Sequence, residues 1–139
     1  MTPTFVIDCS ITMAWCFSDE STAATVGIQD RLVREACVVP VHWPLEVANV
    51  LAMAEKRKRI AEPASTQFLS LLSVMEIHVD LESSSRAFGY ALPLCRSHGL
   101  TSYDAAYLDL ALCRQLPLAS LDDALRRAAV SLGVEVLGK

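Results

Sequence analysis

Four acidic residues stand where carboxylates often take part in chemistry. They are Asp8, Glu46, Asp104 and Asp122. Each lies at the end of a predicted strand or in the first turn of a predicted helix. In a parallel α/β sheet, the carboxyl ends of strands and the N-termini of the following helices share one edge, and ligands bind in the crevice there. We therefore expect the four carboxylates to converge, although they lie far apart in the sequence.

Converging carboxylates need a counter-charge, because like charges repel and force some of the groups to take up protons. A divalent cation supplies that charge. Oxygen ligands without a convergent Cys or His favour hard metals such as Mg²⁺ or Mn²⁺. A metal held in this way activates water and stabilises the charge on a phosphodiester during in-line displacement. The residue types thus predict metal-dependent hydrolysis of phosphodiester bonds.

A structural explanation competes with this interpretation at three of the four positions. Glu46, Asp104 and Asp122 lie at predicted helix starts, where an acid caps the helix or interacts favourably with its dipole. Asp8 ends an apolar strand, and no ordinary packing role explains it. The placement of all four acids at one edge favours the functional interpretation.

Strands and helices alternate along the chain and must position these acids. The predicted strands are 4–8, 37–40, 76–80, 116–119 and 134–137, and the predicted helices are 10–17, 21–36, 43–59, 63–74, 83–97, 101–114 and 122–131. Such alternation is typical of an α/β domain with a central, mainly parallel sheet of four to five strands flanked by helices. Because no linker, repeat or low-complexity segment interrupts it, we predict one domain over residues 1–139.

The composition indicates a folded protein and restricts its partners. Hydrophobic residues make up 53% of the 139 residues and charged residues 20%, as in globular proteins. The net charge of −4 disfavours a basic surface that coats nucleic acid. Once the four candidate acids are set aside, however, twelve of the 16 acidic residues remain against 12 Lys and Arg. The excess negative charge can therefore lie in one cleft.

Hydropathy and cysteine content predict a cytoplasmic protein without a membrane segment. The mean hydropathy of +0.35 is high, yet no window approaches the roughly 20 apolar residues of a membrane span. The N-terminus lacks the features of a secretory signal. The five cysteines are odd in number and form no C-x-x-C pair, so we expect reduced thiols rather than disulfides or a zinc site. A buried sheet and a subunit interface would account for the apolar excess.

Each candidate acid lies within a short motif. The motifs are Val6-Ile-Asp8-Cys-Ser10, Pro44-Leu-Glu46-Val-Ala-Asn49, Leu100-Thr-Ser-Tyr-Asp104-Ala-Ala-Tyr107 and Pro117-Leu-Ala-Ser120-Leu-Asp122. In order and spacing they resemble the motifs of PIN-domain nucleases, and in particular of VapC-type toxins from type II (VapBC) toxin–antitoxin pairs. The resemblance covers almost the whole chain. Ser120 stands where the family often has Thr, and the family register favours Asp122 over the adjacent Asp123.

The resemblance implies a single PIN-like domain and a metal-dependent endoribonuclease that acts as a toxin. It also implies a homodimer and a VapB-like antitoxin that neutralises the activity. By this resemblance Asp8 and Asp104 bind Mg²⁺ or Mn²⁺ directly, while Glu46 and Asp122 bind a second metal or hold the attacking water. We take Asp8, Asp104 and Asp122 as the expected metal ligands and all four acids as the expected catalytic residues.

Polar residues of the same motifs are expected to support the acids. The resemblance implies that Ser10 and Ser120 donate hydrogen bonds that orient carboxylates, as groups behind metal ligands commonly do. Asn49 lies one helical turn after Glu46 on the predicted helix. It either supports Glu46 or lies on the helix surface.

Two further segments are candidates for contacts with partners. The basic run Lys56, Arg57, Lys58 and Arg59 closes a predicted helix. It is either a solvated helix end, where cations are favourable, or a contact to RNA or to an acidic partner. The apolar residues of 10–17 and 21–36 resemble the groove in which such toxins receive an apolar antitoxin helix.

Three other functions fit the residues less well. A phosphoacceptor signalling domain needs a Lys after its last main strand, whereas the lysines here are Lys56, Lys58 and Lys139. A phosphatase of the haloacid dehalogenase type needs Asp-x-Asp, whereas this chain has Asp8-Cys-Ser10. A PIN-like interaction module without catalytic activity is the third alternative, and the retention of all four acids argues against it.

Overall fold

The computed structural model describes all 139 residues as one α/β domain. Its five strands are β1 (Pro3–Ile7), β2 (Ala36–Pro40), β3 (Ile77–Asp80), β4 (Leu118–Ala119) and β5 (Val136–Leu137). The seven α-helices are α1 (Cys9–Cys16), α2 (Ala23–Arg31), α3 (Trp43–Lys56), α4 (Glu62–Ser73), α5 (Leu92–His98), α6 (Ser102–Arg114) and α7 (Asp123–Ser131). The predicted fold class is confirmed.

The sheet is fully parallel, with the strand order β3-β2-β1-β4-β5. The chain extends the sheet from β1 to β3 in one direction and then adds β4 on the other side of β1. In the register, Val6 of β1 pairs with Val38 of β2 on one side and with Leu118 of β4 on the other. The strand order therefore reverses between β1 and β4, and a crevice opens at the carboxyl ends of two strands that diverge in this way.

The core forms around the central strands because their apolar residues run without alternation, as in strands buried on both faces. Phe5, Val6 and Ile7 of β1 are fully buried, and so are Val38 and Val39 of β2. Helix α6 packs against β1, β2 and β4 and buries one face of its length in this core. No helix combines the length and the hydropathy that a membrane span requires.

The predicted elements differ from the structure mostly at their ends. The second predicted helix, 21–36, is shorter, because Thr22 rather than Ser21 caps it and the α-helix ends at Arg31. The side chains of Thr22 and Thr25 form a reciprocal capping box, which fixes this start. The predicted single helix 83–97 is wrong: a 3₁₀ turn (Ser83–Arg86), a π-helical turn (Ala87–Ala91) and α5 replace it.

A buried ion-pair network joins the end of β3 to α6. Arg86 Nη2 lies 2.7 Å from Asp80 Oδ2, and Arg86 Nε lies 2.8 Å from Asp109 Oδ2. Arg114 Nη2 lies 3.2 Å from the other oxygen of Asp80. The side chain of Asp80 is 5% exposed and that of Asp109 is 7% exposed. The network explains why Asp109, only five residues after Asp104, takes no part in the candidate site.

The C-terminal residues pack directly behind β4. Arg126 Nη1 donates to the carbonyl oxygens of Ser120 and Leu137, at 2.9 and 2.8 Å. Gly138 follows with a φ of 114°, which only glycine adopts readily. A Cβ atom at Gly138 would lie 2.9 Å from Ile11 Cδ1 and 3.1 Å from the carbonyl oxygen of Ser120. This close packing leaves no room for a side chain.

Replacement of Gly138 by Ala is expected to lower the free energy of unfolding by about 1–3 kcal/mol, through backbone strain and overpacking. Chemical denaturation monitored by circular dichroism measures the change. Gly89→Ala is the matched control, because a Cβ atom there meets nothing within 4 Å. Equal stability of the two variants would contradict the packing described for the C-terminal residues.

Candidate active site

A pocket of about 340 Å³ opens at the carboxyl edge of the sheet, where the strand order reverses. Ten residues line it: Asp8, Cys9, Ser10, Met13, Glu20, Glu46, Val50, Asp104, Tyr107 and Asp122. The structure thus brings together all four predicted acids, which come from four separate positions along the chain. It also adds a fifth acid that sequence reasoning missed, Glu20.

Asp8 is the most firmly held of the acids. It follows β1 directly and is 4% exposed. Its Oδ1 accepts hydrogen bonds from Ser10 Oγ at 2.5 Å and from the Ile11 amide at 3.2 Å, while Oδ2 accepts one from Ser120 Oγ at 2.5 Å. Burial raises the pKa of Asp8 to about 6, although these hydrogen bonds act in the opposite direction. The bond from Ile11 also makes Asp8 the N-cap of α1, a structural role that the sequence did not reveal.

Two serines connect Asp8 to the loop that carries Asp122. The hydroxyl oxygen of Ser10 accepts a hydrogen bond from the Leu121 amide at 2.9 Å. The hydroxyl oxygen of Ser120 accepts one from the Asp122 amide at 3.0 Å. Because each serine also donates to Asp8, the two hydroxyls fix the carboxylate relative to this loop. These contacts match the role that the resemblance implies for both serines.

Glu46 lies in the first turn of α3 and makes contacts that the sequence did not reveal. Its Oε1 accepts a hydrogen bond from the Tyr107 hydroxyl at 2.5 Å and lies 3.3 Å from His42 Nε2. Burial alone would raise the pKa of Glu46, but the bonds from His42 and Tyr107 and the charge of His42 hold it below its usual value. The His42–Glu46 spacing of four residues on one helix could have signalled the first contact. No local signal exists for the second, because 61 residues separate Tyr107 from Glu46.

Asp104 and Asp122 start two different helices. Thr101 is the N-cap of α6, and its Oγ1 accepts a hydrogen bond from the Asp104 amide at 3.2 Å. Burial raises the pKa of Asp104, and repulsion from Asp122 and Glu46 raises it further. Asp122 is the N-cap of α7 through Oδ1, which accepts from the Leu125 amide at 2.8 Å.

The donor chemistry of the pocket fits a hard divalent cation. The repulsion among Asp104, Asp122 and Glu46 is the kind of charge imbalance that such a cation relieves. Cys9 adds no soft ligand, because burial and the charges of Glu46 and Asp8 raise its thiol pKa to about 12. The side chains do not form a preformed metal cluster of three or more ligands. The fit therefore rests on the oxygen ligands and their charge.

Asn49 and Arg59 have surroundings that the sequence left open. The side chain of Asn49 is exposed and makes no hydrogen bond to Glu46, so the surface interpretation holds for it. Arg59 donates from Nη2 to Asp19 and to Glu20, each at 2.8 Å, and its guanidinium lies 3.8 Å from the ring centroid of Phe17. The basic run therefore has three exposed residues without such partners, Lys56, Arg57 and Lys58.

Comparison with known proteins identifies the family. The sequence profile of the PIN domain matches residues 5–131, which include all four acids. The chain belongs to the PIN domain family. A search of curated protein sequences finds no significant match.

Solved structures share the fold of this PIN domain at low sequence identity. PAE2754 from Pyrobaculum aerophilum superposes with a TM-score of 0.68 at 20% identity, covering 92% of this chain and 86% of its own. VapBC2 from Rickettsia felis, bound to a promoter DNA fragment, gives 0.64 at 8% identity, covering 95% and 96%. VapC20 from Mycobacterium tuberculosis, described as a sarcin-ricin loop cleaving toxin, gives 0.60 at 11% identity, covering 90% and 95%. The resemblance to VapC-type PIN domains is thus confirmed for the fold.

Proposed function

We propose that this PIN domain is a metal-dependent endoribonuclease that hydrolyses RNA phosphodiester bonds and acts as the toxin of a toxin–antitoxin pair. One observation carries the proposal: four acids from separate elements line one pocket, and one of them, Asp104, is repelled by both Asp122 and Glu46. A site for a neutral ligand would gain nothing from this repulsion, whereas a divalent cation removes it. The description of VapC20 as a sarcin-ricin loop cleaving toxin supports this choice of reaction and of biological role.

In this proposal Asp8, Asp104 and Asp122 hold Mg²⁺ or Mn²⁺. When bound, the metal supplies an activated water and stabilises the charge that develops on the phosphate. Ser10 and Ser120 keep the two oxygens of Asp8 in place. Glu46 stays ionised because its pKa is lowered, so it can accept a hydrogen bond from the attacking water and orient it.

The proposed partners are RNA, a VapB-like antitoxin and a second copy of this chain. A neighbour of the fold is the VapBC2 assembly, which supports the antitoxin. Most of the apolar residues of α1 are buried in the core, whereas Val26 on α2 and Val33 after it are exposed. The antitoxin would therefore bind at α2 rather than at α1. Action on RNA under antitoxin control places the protein in the cytoplasm, and Lys56, Arg57 and Lys58 would contact the RNA backbone.

Removal of divalent metal is expected to abolish RNA cleavage. Because a bound metal contributes several kcal/mol of transition-state stabilisation, excess EDTA should slow cleavage by roughly 10³-fold or more. The assay incubates the purified protein with labelled RNA in Mg²⁺ or Mn²⁺ and resolves the products on a gel. Added Mg²⁺ or Mn²⁺ in excess over EDTA should restore cleavage.

Cleavage that EDTA leaves unchanged would contradict the metal-dependent mechanism. If the protein binds RNA but leaves it intact in both Mg²⁺ and Mn²⁺, the result would instead favour the interaction module without catalytic activity. The Asp8→Asn variant, purified in the same way, is the control for contaminating ribonucleases.

A further inference from the structure

Two residues from different parts of the chain contact Glu46, and both contacts involve the same oxygen. The hydroxyl of Tyr107, on α6, donates to Oε1 at 2.5 Å. His42, which precedes α3 by one residue, places Nε2 3.3 Å from the same oxygen. No side chain or amide of the protein donates to the other oxygen, Oε2. The carboxylate therefore has one fixed oxygen and one that is free for a ligand in the pocket.

The surroundings of His42 determine which of its nitrogens carries a proton. Nε2 faces Glu46 Oε1 at 3.3 Å and the carbonyl oxygen of Tyr103 at 3.1 Å. Both oxygens accept hydrogen bonds and neither can donate one, so Nε2 must carry the proton. The Nε2–H group of His42 is therefore hydrogen-bonded to Tyr103 in the first turn of α6, and it turns its positive end toward Glu46 Oε1.

Packing keeps these donors in place. Tyr107 is 1% exposed, and its ring lies within the core that α6 forms with the sheet. The ring of His42 meets that of Tyr107 edge-on, with centroids 5.2 Å apart at 71°. It also contacts the ring of Tyr103, with centroids 5.6 Å apart. A buried phenol and an imidazole that pack on each other leave Glu46 little freedom to turn.

We propose that Tyr107 and His42 are positioning residues for Glu46, which fix Oε1 so that Oε2 alone faces the bound water or metal. The inference rests on the proposed nuclease function and extends it to two residues outside the acidic set. Neither residue needs to contact RNA. Groups that orient the carboxylates of metal sites commonly change activity or metal affinity by about 10- to 100-fold when removed.

Tyr107→Phe tests the proposal, because it removes one hydroxyl and keeps the buried ring. We expect kcat for RNA cleavage to fall by about 10- to 100-fold while KM stays nearly constant, since Tyr107 acts on Glu46 rather than on RNA. Tyr90→Phe is the matched control: this tyrosine is exposed and lines a different pocket, so kcat should be unchanged.

Two variants of His42 separate its hydrogen bond from its packing. His42→Gln retains an N–H donor and is expected to keep most of the activity, whereas His42→Leu has no donor and should lose activity as Tyr107→Phe does. A double-mutant cycle with Glu46→Gln checks the pathway. If Tyr107 acts through Glu46, Tyr107→Phe has almost no further effect in the Glu46→Gln background.

Carboxyl-selective ¹³C NMR gives a readout that is independent of cleavage. Tyr107→Phe should shift the Glu46 Cδ resonance, and Tyr90→Phe should not. An unchanged Glu46 resonance, or full effects of Tyr107→Phe in the Glu46→Gln background, would overturn the positioning role.

The outcomes for the two proposals are distinguishable. If the wild-type protein cleaves RNA and the Tyr107→Phe variant cleaves it equally fast, the positioning role is overturned and the nuclease function remains. A wild-type protein that cleaves no RNA in Mg²⁺ or Mn²⁺ overturns the nuclease function and, with it, the role of both residues in the reaction. The NMR shift then still reports whether Tyr107 contacts Glu46.

Discussion

Replacement of Asp8 by Asn is expected to slow RNA cleavage by roughly 10³-fold, because loss of a ligand charge removes several kcal/mol of transition-state stabilisation. Asn has nearly the same shape, and its carbonyl oxygen can still accept from the Ile11 amide that starts α1. The fold should therefore remain while the charge at the centre of the site is lost. Single-turnover cleavage of labelled RNA at saturating Mg²⁺ measures the effect.

Stability separates a chemical effect of Asp8→Asn from a structural one. A neutral amide is easier to bury than a carboxylate, so the melting temperature of the metal-free variant should not fall. Asp30→Asn is the control, because Asp30 is exposed on α2 and makes no side-chain contact. Cleavage by Asp8→Asn at the wild-type rate would contradict both the site and the proposed function.

Replacement of Arg86 by Leu is expected to lower the free energy of unfolding by about 3 kcal/mol, the range for breaking a buried ion pair. The variant leaves Asp109 without a charged partner and leaves Asp80 with Arg114 as its only charged partner. For a domain of this size such a loss corresponds to a fall in melting temperature of about 10 °C. Differential scanning calorimetry of the two proteins measures it.

Two variants control for this result. Arg31→Leu breaks a partly exposed pair between the last residue of α2 and Glu35, which follows the helix, and should cost at most about 1 kcal/mol. The double variant Arg86→Leu, Asp109→Asn removes the unpaired buried charge and should be more stable than Arg86→Leu. If the double variant were the less stable of the two, the unpaired carboxylate would not be the cause of the loss.

The pH dependence of unfolding gives an independent check. Burial opposes the ionisation of Asp80, but the hydrogen bonds from Arg86 and the Glu82 amide and the charges of Arg86 and Arg114 hold its pKa below its usual value. A carboxylate with a lowered pKa in the folded state stabilises the fold above its unfolded pKa of about 3.9. That stabilisation is lost as the pH falls through the folded pKa. The free energy of unfolding should therefore decline less below about pH 4 in Arg86→Leu, because Asp80 stabilises that variant less at neutral pH.

The sequence predicts the alternation of elements and the edge at which the acids meet, because both follow from local patterns. Strand ends at Asp8 and helix starts at Glu46 and Asp104 can be recognised from apolar runs and capping residues. The order of the strands does not follow from such patterns. It depends on which strands pair across long stretches of chain, and it places β1 between β2 and β4.

The unpredicted features of the site share a physical reason. Tyr107 meets Glu46 across 61 residues, and Arg59 meets Glu20 across 39. Such contacts are set by tertiary packing rather than by helical spacing. Helical spacing left two positions open for Asn49, and its side chain is exposed without a hydrogen bond to Glu46. The positively charged run likewise gives no sign that Arg59 pairs with Asp19 and Glu20 within the fold.

The hydrogen bond between Ser120 and Asp8 joins residues 112 positions apart, and β4 pairs with β1 only after most of the chain exists. Chains are made from the N-terminus, and segments fold as they emerge from the ribosome. The first three strands can associate early, whereas Ser120 and Asp122 are made only after β4. For the proposed nuclease, a growing chain therefore has no assembled site until β4 and the loop that follows it have left the ribosome.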